Sequence, residues 1–236
     1  MTGPVAVCLP PAGGSATMTR SWRLPSESVV CPNIRRLRSQ VGRFDLEAVA
    51  GEVASRVLSG RRTVLIGHSL GGLLAYEAAR VAIAAGQPPA AVVVMGSRPP
   101  HVPTGVLFEH LLDLDDDAFL TRLADLGAVD AALCRGPFAR LIVGPLRTDL
   151  RLVCSYAPDP VLRRAHPLDV PLHVWGGVDD PLAPSAMLDH WAPYAATIHR
   201  RTFDADHQFP TACGDRVGAA LRDLLATCPA PSRASA

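Results

Sequence analysis

Residues 63–79 read TVLIGHSLGGLLAYEAA and pass from a short apolar run, through a serine flanked by glycines, into a helix-forming segment. The pattern Gly-x-Ser-x-Gly is typical of a sharp, strained turn between a strand and a helix. Such a turn needs small residues two positions before and after the serine, because side chains there would collide across it. Gly67 and Gly71 meet that need, so the stretch predicts a nucleophilic Ser69. A glycine-rich turn that holds a serine by chance is the weaker interpretation.

The remainder of the 236-residue chain predicts a single α/β domain over residues 1–228. Short apolar runs alternate with helical patterns, which favours a mostly parallel central sheet flanked by helices. The predicted strands are Val5–Leu9, Ser28–Cys31, Val64–Ile66, Ala91–Met95, Leu172–Trp175 and Thr197–Phe203. The tail, residues 229–236, is rich in Pro, Ser and Ala and is predicted to be disordered.

Residues 100–170 have helical stretches but lack a convincing strand pattern. Three aspartates from Asp115 to Asp117 precede an apolar stretch, which indicates an acidic helix start and not a metal site. A helical insertion of this size between strands of a compact sheet is often a lid over a site. We therefore predict a helical lid at about 100–170.

Composition excludes several classes of partner. The chain has 23 basic and 22 acidic side chains and a formal net charge of +1, so no global field directs it to nucleic acid or to an anionic membrane. The N-terminal residues lack a basic region followed by an apolar run, and the longest apolar run is far too short to span a membrane. The six cysteines show neither a CxxC pair nor metal-ligand spacing. We expect a cytoplasmic protein without a bound metal.

The base that activates Ser69 is predicted from chain order. A serine hydroxyl needs a base to remove its proton, and a third group must hold that base in one tautomer. In hydrolases with this type of turn the order is Ser, then Asp or Glu, then His. Of eight histidines, His207 follows the last predicted strand in a loop ahead of a C-terminal helix, so we predict it as the base. The alternation of side chains predicts that His68 points away from the base.

Two adjacent aspartates compete for the third role. Asp179 stands three residues after Gly176 in a Gly-x-x-Asp turn at a predicted strand end, whereas Asp180 precedes Pro181 one step further out. We predict Asp179 as the acid and keep Asp180 as the alternative.

An oxyanion hole requires backbone N–H groups close to the serine. The N–H of Leu70, at the start of the predicted helix, is one candidate. The loop after the first strand contains two prolines and two glycines and exposes its backbone, so Ala12 or Gly13 is predicted to supply the second donor.

Five stretches, in order along the chain, resemble the type II thioesterases that accompany modular polyketide and non-ribosomal peptide synthases. They are Leu9–Ala16, Gly67–Gly72 with Ala75–Glu77, Gly96–Pro100, Pro145–Arg151 with Tyr156, and Gly176–Leu182. Together they span nearly the whole chain. The resemblance implies an α/β-hydrolase fold with a helical lid, and it maps the family's triad onto Ser69, Asp179 and His207.

The resemblance also implies a function. Such enzymes hydrolyse acyl groups from the phosphopantetheine thiol of acyl or peptidyl carrier protein domains and so restore a blocked assembly line. The expected path is attack by Ser69, an acyl-enzyme, and hydrolysis by water that His207 activates. No cofactor is expected beyond the phosphopantetheine of the partner, and we expect a monomer.

Two other functions fit the same residues. A carboxylesterase or acyltransferase of this fold would use Ser69 and His207 equally well. A binding module that has lost the reaction would keep the fold, although the presence of all three triad residue types argues against it. The arginines from Arg35 to Arg43 are expected in a solvated loop, with an acidic carrier protein as a possible partner.

Overall fold

The computed structural model describes residues 4–57, 62–135 and 139–228. The predicted disordered tail, residues 229–236, lies outside the described residues. Within them, no helix combines the length and the apolar character that crossing a bilayer requires.

Six strands form one sheet in the order β2-β1-β3-β4-β5-β6, and every neighbouring pair is parallel. The strands are β1 Val5–Leu9, β2 Val29–Val30, β3 Thr63–His68, β4 Ala91–Met95, β5 Leu172–Gly177 and β6 Ile198–Phe203. All six predicted strands are confirmed. The main differences are that β3 and β5 extend two residues further at their carboxyl ends, to His68 and to Gly177.

Helices connect the strands and cover the sheet. They are α1 Ile34–Val41, α2 Leu46–Val57, α3 Leu70–Ala84, α4 Asp116–Asp125, α5 Ala131–Arg135, α6 Ala139–Cys154, α7 Pro160–Ala165, α8 Phe209–Ala212 and α9 Gly214–Thr227. The acidic start predicted for α4 is confirmed, since the Asp115 carboxylate accepts a hydrogen bond of 2.9 Å from the N–H of Ala118.

Three arginines of the cluster, Arg35, Arg36 and Arg38, lie on a helix and not in the predicted loop, whereas Arg43 follows the helix. The side chain of Asn33 caps α1 by accepting a hydrogen bond of 3.0 Å from the N–H of Arg36. The apolar side chains of Ile34 and Leu37 are buried beneath it. Because arginine is a good helix former, the cluster continues the helix on its exposed face.

The sheet divides the core into two layers because side chains alternate along each strand. Leu65, Val92 and Val94 face a large cluster that contains α2, α3 and residues of the segment between β4 and β5. Val64 and Ile66 face a smaller cluster that contains α9. The apolar run of β3 is therefore buried on both faces, as expected of a central parallel strand.

Candidate active site

The predicted site residues follow the carboxyl ends of adjacent parallel strands. Leu9 at the end of β1 is in register with Gly67 of β3, and His68 is in register with Met95 of β4. The loops after these strands therefore meet at one edge of the sheet, which is where ligands bind in open α/β sheets.

Ser69 occupies a strained turn between β3 and α3. Its φ is 53° and its ψ is −116°, a conformation that non-glycine residues rarely adopt. A Cβ at Gly67 would collide with the backbone of Gly71, and a Cβ at Gly71 would collide with the carbonyl oxygen of Leu9. The structure thus confirms the strand, the turn and the helix that the sequence predicts.

Ser97, in the loop after β4, braces this turn and is a residue whose role sequence reasoning missed. Its hydroxyl donates to the carbonyl oxygen of Ser69 at 2.8 Å. A Cβ at Gly72 would collide with that hydroxyl, so the glycine makes room for it. The Gly-Gly pair after Ser69 was the signal that a second element packs closely there.

The histidine predicted as the base is paired with a carboxylate, but with the neighbour of the predicted one. The Nδ1 of His207 lies 2.8 Å from Oδ2 of Asp180, and both side chains are buried. Oδ1 of Asp180 accepts hydrogen bonds from the N–H groups of Leu182, at 2.8 Å, and Ala183, at 2.9 Å. Three donors therefore fix the Asp180 carboxylate against the imidazole.

The structure does not pair Asp179, the predicted acid, with His207; it places Asp180 there. Because β5 continues to Gly177, the turn begins two residues later than predicted, and the side chain of Asp179 is exposed. Its N–H donates to the carbonyl oxygen of Ala205 at 3.2 Å, which ties its backbone to the chain just before His207. The Asp180-Pro181 pair was the missed signal, because an aspartate often accepts hydrogen bonds from backbone N–H groups two and three residues onward.

His68 contacts His207, the predicted base, instead of pointing away from it. Its Nε2–H donates to the carbonyl oxygen of His207 at 2.9 Å, and the two ring centroids lie 4.8 Å apart. Complete burial, together with the adjacent His207, lowers the pKa of His68 well below its ordinary value. The ring is therefore neutral and holds the backbone of His207 on the side of β3.

The backbone N–H groups predicted for the oxyanion hole differ in whether they already donate a hydrogen bond. Leu70 is the first residue of α3, where a backbone N–H has no acceptor within the helix. Ala12 lines a cavity together with Ser69 and His207. The prediction of Gly13 as a donor is corrected, because its N–H is already donated to Oδ2 of Asp149 at 2.9 Å. Ala12 and Leu70 remain the candidates.

The cavity at Ser69 is small and has an apolar ceiling. Its volume is about 20 Å³. The segment between β4 and β5 supplies the ceiling side chains, which are Phe108, Leu123, Ala128, Leu146 and Leu150. This segment covers the site as a lid would, and a buried apolar ceiling suits an acyl chain.

A larger groove begins beside this cavity. It has a volume of about 580 Å³, and Pro11 borders both spaces. Leu70, the first residue of α3, lines this groove together with the exposed Arg35 and Arg36. The groove therefore connects the surroundings of Ser69 with a basic surface.

The chemistry available here is acyl transfer. The site combines a strained serine, a histidine in the same cavity, a buried carboxylate on that histidine and a helix N-terminus next to the serine. Among the described residues, no group of three or more His, Cys, Asp or Glu side chains could hold a metal ion. A parallel sheet flanked by helices, with a strained serine in the turn between β3 and α3, defines an α/β-hydrolase.

The chain belongs to the thioesterase domain family, which matches residues 6–228. It is 30% identical over 229 residues to a probable cadicidin biosynthesis thioesterase of Streptomyces griseus, covering 93% of this chain and 62% of that protein. It is 29% identical over 230 residues to the AMB antimetabolite synthetase AmbE of Pseudomonas aeruginosa, covering 93% of this chain but only 10% of that protein. The RedJ thioesterase from the prodiginine biosynthetic pathway of Streptomyces coelicolor superposes with a TM-score of 0.77 at 33% identity, covering 92% of this chain and 89% of that one.

Proposed function

We propose that this protein hydrolyses acyl groups from the phosphopantetheine thioester of acyl or peptidyl carrier protein domains in polyketide or non-ribosomal peptide biosynthesis. The observation that carries the proposal is the buried Asp180–His207 pair, whose histidine lines the same cavity as the strained Ser69. The similarity to RedJ, a thioesterase of the prodiginine pathway, supports the substrate class.

The proposed reaction proceeds in two halves. In the first, Ser69 Oγ attacks the thioester carbonyl while Nε2 of His207 accepts the hydroxyl proton; the C–S bond then breaks, the imidazolium returns that proton to the sulfur, and the pantetheine thiol leaves as the acyl-enzyme forms. In the second, His207 removes a proton from water, the resulting hydroxide attacks the acyl-enzyme, and Ser69 regains its proton. Asp180 holds Nδ1–H of His207 and stabilises the imidazolium in both halves.

The backbone donors act on the carbonyl oxygen of the acyl group. The N–H groups of Leu70 and Ala12 are proposed to stabilise the negative charge that develops there in both halves. The reaction needs no cofactor held by the chain itself, because the partner carries the phosphopantetheine.

The groove beside the cavity is proposed as the route of the carrier-bound arm. Arg36 is exposed and, among the described residues, has no ion-pair partner for its guanidinium. A free cation at the mouth of a groove suits the phosphate of phosphopantetheine or an acidic carrier surface. Charge reversal in Arg36→Glu should lower turnover of an acyl carrier protein while turnover of a small acyl thioester stays unchanged.

The decisive experiment is a panel of acyl carrier proteins and small acyl thioesters, assayed with wild-type protein and with Ser69→Ala. Loss of thiol release in Ser69→Ala supports the proposal, and release that is equal in both proteins refutes it. Oxygen esters of the same acyl groups are assayed in parallel, and a preference for them over the thioesters identifies a carboxylesterase. A fluorophosphonate that fails to label Ser69 in the wild type would indicate a binding module without the reaction.

A further inference from the structure

The loop after β1 is anchored to helix α6, which is far away in sequence. Oδ2 of Asp149, on α6, accepts a hydrogen bond of 2.9 Å from the N–H of Gly13. Asp149 is only 5% exposed. Gly13 follows Ala12, so the bond acts one residue away from the proposed second oxyanion donor.

Leu146 and Arg35 flank the same glycine. A Cβ built on Gly13 would lie 3.0 Å from Cδ1 of Leu146, one turn earlier on α6. The guanidinium of Arg35, on α1, donates to the carbonyl oxygen of Gly13 at 3.3 Å. Gly13 has a φ of +70°, which fixes a turn that other residues disfavour. The peptide groups around the donor are thus held from both sides.

Burying the carboxylate of Asp149 costs free energy, which indicates that its hydrogen bond to Gly13 has a role. Burial raises the pKa of Asp149, opposed by the N–H of Gly13 and by the charges of Arg35 and Arg38. Its second oxygen, Oδ1, is buried and has no hydrogen-bond partner among the described residues. An apolar side chain would fill this place without that cost. The bond to Gly13 is the hydrogen bond that the carboxylate makes there.

We propose that Asp149 is a positioning residue that fixes the Ala12 N–H for the oxyanion through Gly13. Because Asp149 and Leu146 belong to α6, the same helix forms the ceiling over Ser69 and sets the donor beside it. A displacement of α6 therefore loosens the oxyanion hole as it opens the cavity. This inference rests on the proposed hydrolysis, in which the two backbone donors act on the acyl carbonyl.

The expected loss of turnover follows from what a single oxyanion donor contributes to catalysis. Removal of a single oxyanion donor typically lowers turnover about 10²- to 10³-fold, and a donor that is displaced but still present should cost less, about 10- to 100-fold. Since the donor acts in the transition state, kcat should fall while KM changes little.

Three variants test the proposal. Asp149→Leu removes the acceptor and keeps the number and branching of the side-chain heavy atoms. Asp149→Asn keeps an oxygen that can accept from Gly13 N–H but removes the charge. Leu152→Ala alters a buried residue of α6 that does not line the cavity at Ser69, and it controls for loss of stability. Each is assayed for kcat and KM on one acyl thioester and for the affinity of a trifluoromethyl ketone, whose adduct with Ser69 carries an oxyanion.

We expect Asp149→Leu to lose kcat and ketone affinity by similar factors, because both depend on the oxyanion hole. Asp149→Asn should retain kcat within about threefold of wild type, since a neutral acceptor still holds the loop. Leu152→Ala should lower the melting temperature without lowering ketone affinity. If Asp149→Leu does not fold, Asp149→Ala takes its place.

Two results would overturn the proposal. One is a folded Asp149→Leu or Asp149→Ala whose kcat and ketone affinity match the wild type. The other is an Asp149→Asn as impaired as Asp149→Leu, because the charge and not the acceptor would then matter. An inactive wild type would instead refute the proposed hydrolysis, and the two failures are therefore distinguishable.

Discussion

Asp180 and His207 form a buried pair whose Oδ2 and Nδ1 atoms lie 2.8 Å apart, while the carboxylate of Asp179, one residue earlier, is exposed. We expect Asp180→Asn to lower kcat about 10³- to 10⁴-fold, because an amide at this position favours the wrong tautomer of the histidine. Steady-state hydrolysis of an acyl thioester, followed by thiol release, measures the effect.

Asp179→Asn is the matched control for that substitution. It removes the same charge one residue away and should leave kcat within about twofold of wild type, as for an exposed surface carboxylate. A larger loss in Asp179→Asn than in Asp180→Asn would reverse the assignment of the acid.

The neutral, buried His68 predicts a pH dependence of stability. Its folded pKa is lowered, so protons bind preferentially to the unfolded chain, and stability falls as the pH drops below about 6.5, the ordinary histidine value. The loss amounts to about 1.4 kcal/mol per pH unit between that value and the folded pKa. His68→Gln removes the titration but keeps an N–H donor. Urea unfolding of both proteins at pH 7.5 and 5.5 should show a smaller loss of unfolding free energy in the variant. An equal loss in the two proteins would contradict the prediction.

The space around two glycines predicts opposite outcomes for their replacement by alanine. Gly71→Ala should destabilise the protein by about 3 kcal/mol or more, because the new Cβ collides with the backbone of Leu9. Gly51→Ala, in the interior of α2, has open space around its Cβ and should stabilise by about 0.5–1 kcal/mol. Melting temperatures measure both, and a Gly71→Ala as stable as the wild type would contradict the tight packing.

The ceiling over Ser69 predicts a change in acyl preference. Leu123→Ala enlarges the cavity and should raise kcat/KM for longer or branched acyl groups relative to short ones by about tenfold or more, since one methylene in an apolar pocket is worth about 1–3 kcal/mol. Leu152→Ala truncates a leucine buried equally well outside the cavity. A series of acyl thioesters that shows the same preference in both variants would assign the effect to instability.

Local patterns predicted the elements of the site that depend on neighbours in sequence. Ser69 is set by two glycines and by the strand and helix around it, and His207 by its place after the last strand. Asp180 was missed because the end of β5 decides which of two adjacent aspartates turns inward, and that end depends on hydrogen bonds to β6. An error of two residues in the end of β5 was enough to assign Asp179 instead of Asp180 as the partner of His207.

The remaining misses depend on contacts that sequence order does not indicate. Gly13 appeared free to act as a donor, yet a carboxylate 136 residues away already accepts its N–H. His68 alternates along β3 as predicted, but the loop that carries His207 passes over it and places a carbonyl oxygen within reach. Neither loop has a periodic pattern that would fix its path in advance.

The space of about 20 Å³ at Ser69 holds little more than one water molecule, so the described conformation does not admit an acyl chain. The apparent dissociation constant of any acyl substrate is then its intrinsic constant divided by the fraction of molecules that are open. Substrates of equal chemical reactivity will be ranked by how strongly each stabilises the open population. The equilibrium that exists before the acyl group arrives thus sets the overall affinity and not the selectivity, and a substitution far from Ser69 that shifts this equilibrium will change the affinity for all substrates by one common factor.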